Sequence, residues 1–160
     1  MDKTISHANK AHSLKGLSGT LKKQTEIEKK IIKARLSSIS IFEMDEKNIK
    51  VFCDALIFKC SAFTGCELPV TDYYADVLSA SIIRFLLDMG YGDLTLEEIE
   101  LALSVNCSHQ HKLPLGIELP EITFFGKGLN IFFLSKILGN YMILRNHLDR
   151  RFQNLIDGHE

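Results

Sequence analysis

Tryptophan is absent from this chain, and proline occurs only three times in 160 residues. A core without Trp must be built from Phe, Leu and Ile. Few prolines, with ten glycines, exclude a collagen-like or low-complexity chain. No Phe, Trp or Tyr lies between Met1 and Ile41, so that stretch offers no platform for stacking bases. Long apolar runs are missing too. Ile82-Ile83 and Ile131-Phe132-Phe133-Leu134 are short and are followed closely by Arg84 and Lys136. A membrane-spanning helix needs about 20 apolar residues. Residues 1–30 hold no apolar stretch of the kind an export signal carries. The four cysteines, Cys53, Cys60, Cys66 and Cys107, form no C-x-x-C pair. The expectation is a cytoplasmic protein with reduced thiols.

Catalytic patterns are also scarce. There is no G-x-S-x-G, no Cys–His signature and no glycine-rich phosphate loop; Gly126-Lys127-Gly128 is only a fragment of one. Glu97, Glu98 and Glu100, with Asp93, could supply acid–base groups or hold Mg²⁺. Glu98 reads better as a helix cap, and its neighbours as a solvated face beside a helix N-terminus. Cys107-x-His109-x-His111 has donor types suited to a metal, but not the spacing of a zinc finger and no second Cys/His pair nearby. A polar loop is the simpler reading, and His7 and His12 belong to a polar tail. The chain is expected not to be an enzyme and to hold no cofactor or metal.

What the chain does have is charge separated by position. Residues 1–36 carry a net +6, residues 43–100 a net −8 and residues 101–160 a net +1, within a total of −1. A basic front on an acidic body suits a protein that holds partners, with the front as a contact for a polyanion. The nucleic-acid candidates are Lys22, Lys23, Lys29, Lys30, Lys33 and Arg35, with Lys10 and Lys15 further forward. Lysine and arginine there would neutralise phosphates and release counterions, with little sequence preference.

Apolar periodicity predicts a mostly α protein. Residues 1–23 read as a flexible basic arm and 24–160 as a single helical domain. A first helix is expected over 25–37, with Ile27, Ile31, Ala34 and Leu36 on its stripe. A second follows Asp45 over about 46–63, buries Ile49, Phe52, Cys53, Leu56, Ile57, Cys60 and Phe63, and stops at Gly65. A third, over about 72–89 behind Thr71 or Asp72, should bury Tyr74, Val77, Leu78, Ile82, Phe85, Leu86 and Met89. Thr95-Leu96-Glu97-Glu98 is a capping box, with Leu94 and Ile99 placed to form a hydrophobic staple. The fourth helix then reaches Val105 or Asn106. Residues 107–130, with Pro114, Pro120 and several glycines, form an irregular loop or short hairpin. The last helix covers about 131–155, roughly 37 Å at 1.5 Å per residue. Its far end is expected to leave the body and offer an apolar stripe to a partner helix or a second copy. Tyr141 and Arg145, four apart on one face, are the partner-binding candidates there, extended by Arg150 and Arg151.

The run Tyr91-Gly92-Asp93-Leu94-Thr95-Leu96-Glu97-Glu98-Ile99-Glu100-Leu101-Ala102, followed by Tyr141-x-x-x-Arg145, resembles small helical proteins of Bacteroidota-type phages and mobile elements. The likeness covers about 65–151 and leaves out the basic arm. Some phage replication proteins of this size and helical content organise replisomes or load helicases. The resemblance implies a replication-associated accessory protein and assigns no functional residue; the charge split and the missing catalytic patterns add the expectation that it bridges a protein partner and nucleic acid. The alternative is a structural or virion-associated interaction protein whose basic arm packs against a neighbouring subunit.

Overall fold

Helix caps set the order of this small bundle. The structure is a computed structural model that describes residues 14–16, 19–21, 23–107, 111–122 and 128–158. Five α-helices and one 3-10 turn follow residue 25, α1 Glu26–Ser37, the turn Ile41–Glu43, α2 Glu46–Thr64, α3 Asp72–Asp88, α4 Leu96–Cys107 and α5 Ile131–Ile156, and residues 14–16 and 19–20 are helical as well. The small helical bundle ending in a long helix is as the periodicity predicts.

Each start has a local chemical cause. Thr25, Asp45, Thr71 and Asn130 present side-chain oxygens to backbone N–H groups three residues on, satisfying donors that the first turn leaves without partners. α2 stops at Gly65, whose φ of +71° lies in the left-handed region that glycine adopts without steric cost.

α4 lies at the centre and packs against α1, α2 and α5. Ile99, Ala102 and Leu103 on it are fully buried. α2 pairs with α3, and the ion pair of Lys59 with Glu100 ties α2 to α4. After α1 the chain meets the segment that enters α4. Ile41 N–H donates to the Leu94 carbonyl at 3.0 Å, and Phe42 N–H to that of Gly92 at 2.9 Å. The Phe42 ring lies so close over Gly92 that a Cβ there would stand 2.5 Å from it. On the other side of the bundle, Asn140 Nδ2 donates to Asn106 Oδ1 and to the Pro120 carbonyl, each at 2.8 Å, fastening the irregular segment to α4 and α5.

Three expectations need correction. Leu21 is buried in the core and Leu14 packs against it, so the packed body begins before residue 24; most of the rest of the arm, with Lys22, lies outside the described residues. Phe63, Tyr74, Val77 and Met89 are exposed, because α2 and α3 bury narrower faces than their apolar residues could supply. The far end of α5 is covered: Leu148 and Phe152 are buried, and ion pairs hold this half of the helix beside α1. The described residues contain no strand, only the isolated bridges Ser40–Thr95 and Glu67–Gly128. Of the irregular loop or short hairpin expected over 107–130, residues 108–110 and 123–127 lie outside the described residues.

Candidate functional site

The candidate lysines divide according to what surrounds them. Lys29, Lys30 and Lys33 are exposed, and their spacing places them on one side of α1. Lys29 Nζ stands 2.7 Å from Glu26 Oε1 in a solvated pair that holds the Glu26 carboxyl below its ordinary value; exposed pairs of this kind contribute little. Lys30 Nζ meets His111 Nδ1 at 3.4 Å, and makes no ion pair with a carboxylate among the described residues. Among the described residues, Lys23 and Lys33 are exposed and make no ion pair. Arg35 differs. Its guanidinium is largely covered and lies 2.6 Å from Asp149 of α5, which removes it from the nucleic-acid set.

Beside Lys30 and Lys33 runs an open cavity of about 500 Å³ between α1, α2 and α4. Ala34, Phe63 and Leu101 give it an apolar floor, and Lys59, Glu97 and Glu100 stand on the opposite wall. The positive face therefore ends at α4. His111 bridges Lys30 and Ser104, with Nε2 3.0 Å from Ser104 Oγ. Burial, and then Lys30, push its pKa down. Cys107 ends α4; His109 lies outside the described residues, and no group of three or more metal-binding side chains is assembled among those described.

Tyr141 and Arg145 are not offered to a partner as the fold stands. Tyr141 is fully buried, and its hydroxyl donates to Glu98 Oε1 at 2.9 Å. Arg145 is buried too; its Nη1 donates to Asp93 Oδ2 at 2.9 Å. Arg145 Nε is 3.0 Å from Glu98 Oε1, an ion-pair distance, yet makes no aligned hydrogen bond. Glu98 also accepts from its own cap residue, Thr95 N–H, at 2.9 Å. Burial pushes the Glu98 carboxyl up, against the opposing pull of Arg145, the Thr95 N–H and Tyr141. Burial and the adjacent Glu98 carboxylate together carry the Tyr141 phenol well above its usual range.

α1 repeats the device. Glu28 accepts from Thr25 N–H at 2.7 Å and from Arg151 Nη1 at 2.8 Å, with His147 Nε2 at 3.8 Å. Two capping-box glutamates thus each clasp an arginine of α5. Arg151 is committed to this clasp, and of the four partner candidates only Arg150 is exposed.

The surface that is free for a partner lies elsewhere. Phe58 of α2 is exposed, as are Leu68 and Val70 at the turn from α2 to α3 and Tyr73, Tyr74 and Val77 of α3. Two adjoining grooves, about 420 and 340 Å³, meet along Ile57, Leu68 and Pro69. Sequence reasoning missed this surface because it assigned Tyr74 and Val77 to the core. The available signal was the surplus of apolar positions on α3, more than one buried stripe can take.

Comparison of the chain with protein-family models, with curated proteins and with solved structures returns no match. No described helix is long and apolar enough to cross a membrane.

Proposed function

We propose that this is a non-enzymatic, cytoplasmic accessory protein of a phage or mobile element, associated with DNA replication as a replisome organiser or helicase-loader-like factor. It contacts nucleic acid through the basic side of α1 and a protein partner through the acidic, apolar surface of α2 and α3. The observation that carries this reading is that Lys23, Lys30 and Lys33 are exposed and make no ion pair among the described residues, while Phe58, Leu68, Val70, Tyr73, Tyr74 and Val77 are exposed beside the acidic residues of α2 and α3. Lysines free of internal pairs can exchange their counterions for phosphates. The phage and replication terms rest on the resemblance of Tyr91–Ala102 and Tyr141–Arg145 described above.

Fluorescence anisotropy with a labelled DNA duplex at low salt tests the nucleic-acid half. Lys30→Glu/Lys33→Glu is expected to weaken binding by at least about tenfold, the scale expected when ion contacts to phosphate are removed. Arg35→Gln should leave DNA affinity unchanged and lower stability. Equal affinity of the double variant and the wild type removes α1 from the site. Absence of DNA binding, together with stable co-assembly with capsid or with further copies of the chain, favours the virion-associated alternative.

A further inference from the structure

We propose that the twin grooves between α2 and α3 receive a basic amphipathic helix from a protein partner. The inference rests on the partner-binding half of the function proposed above and gives that partner a chemistry. The first argument is shape. Tyr74, Val77 and Ser81 line one groove at spacings of three and four along α3, with Leu129 and Ile131 on the facing wall. A helix that lays ridges of side chains into such a channel needs apolar residues at the same spacing. Tyr74 and Val77 are 59% and 46% exposed although they stand in a helix whose other apolar side is buried, so water now covers what a partner would.

The second argument is charge. Glu67 lines the first groove; Asp54, Asp72 and Asp76 line the second. Among the described residues Lys50 is the one cation bonded to this set, 3.0 Å from both Asp54 and Asp76. Glu67 and Asp72 have no ion pair among the described residues. The rim therefore keeps a net charge of about −3, which favours lysine and arginine on an incoming helix and repels acidic ones. A second copy of this chain is the weaker occupant: its exposed lysine side, on α1, carries no apolar ridge at these spacings, since Ile27 and Ile31 are buried.

The test uses the full chain and two synthetic helical peptides of about 15 residues. Both carry leucine at i, i+3, i+4 and i+7; one has lysine and the other glutamate at the flanking positions. Anisotropy at moderate salt should show saturable binding of the lysine peptide and affinity at least about tenfold lower for the glutamate peptide. Val77→Ser should weaken the lysine peptide, and Glu67→Lys/Asp76→Lys should narrow or reverse the preference. Both sets of changes fall on exposed positions, and circular dichroism verifies that the helices persist. Lys30→Glu/Lys33→Glu should leave peptide binding in place, which separates this surface from the DNA contact. Equal binding of the two peptides, binding by neither, or indifference to Val77→Ser overturns the proposal. So does concentration-dependent dimerisation in sedimentation that Val77→Ser abolishes, since that assigns the grooves to a second copy.

Discussion

Glu98 concentrates the physics of the interior at one residue. It satisfies the start of its own helix and, from the same carboxylate, faces Tyr141 and Arg145 across the core. Removing one partner of a buried ion pair leaves the other charge uncompensated, which costs about 3–5 kcal/mol. Arg145 would keep Asp93, so Glu98→Ala is expected at the lower end, about 3 kcal/mol, in urea denaturation. Tyr141→Phe removes a single hydrogen bond to a charged group and should cost about 1.5–3 kcal/mol. Glu28 makes a second prediction through pH. Burial works to raise its pKa, but the bonds from Thr25 and Arg151 outweigh that and leave it below the ordinary 4.5. A carboxylate whose pKa is lowered by folding adds stability above its unfolded value, and that stability is lost as pH falls through the folded value. Stability measured from about pH 6 down to pH 3 should therefore fall less steeply in Glu28→Gln than in the wild type. Identical profiles would contradict the clasp with Arg151.

At the scale of elements, the caps matter most. Thr25 and Thr95 both open capping boxes, but Thr95 Oγ1 also donates to the Ala34 carbonyl at 2.8 Å, bracing α4 against the end of α1. Thr95→Ala should cost about 2 kcal/mol, and Thr25→Ala about 1 kcal/mol, with thermal melts ranking them in that order. These signals were legible in the sequence because a cap and its partner lie within four residues. Asp45, Thr71, Thr95, Gly65 and Asn130 all serve where local chemistry places them. Contacts between distant residues were not legible. Arg35 meets Asp149 across 114 positions, and Arg151 meets Glu28 across 123. No local rule predicts which carboxylate a distant arginine will find. For that reason Tyr141, Arg145 and Arg151 read as a surface and proved to be internal fasteners. Tyr74 and Val77 erred the other way, since periodicity identifies an apolar stripe without saying how much of it the neighbouring helix covers.

For the whole molecule, separation of charge along the chain becomes a difference between surfaces. Some of the positive front is consumed internally, through Arg35, while Lys23, Lys30 and Lys33 stay in solvent. The acidic rim stands with the exposed aromatic and aliphatic residues of α2 and α3. In the account proposed above, DNA and partner are held by separate surfaces, so the charge changes that disable one leave the other working. The most direct measurement is the salt dependence of duplex affinity for the wild type and for Lys23→Gln/Lys30→Gln/Lys33→Gln. Each phosphate contact contributes about 0.9 to the slope of log affinity against log salt, so the triple variant should lose about 2 to 3 units of slope. An unchanged slope, with binding retained, would contradict the assignment of these lysines to nucleic acid.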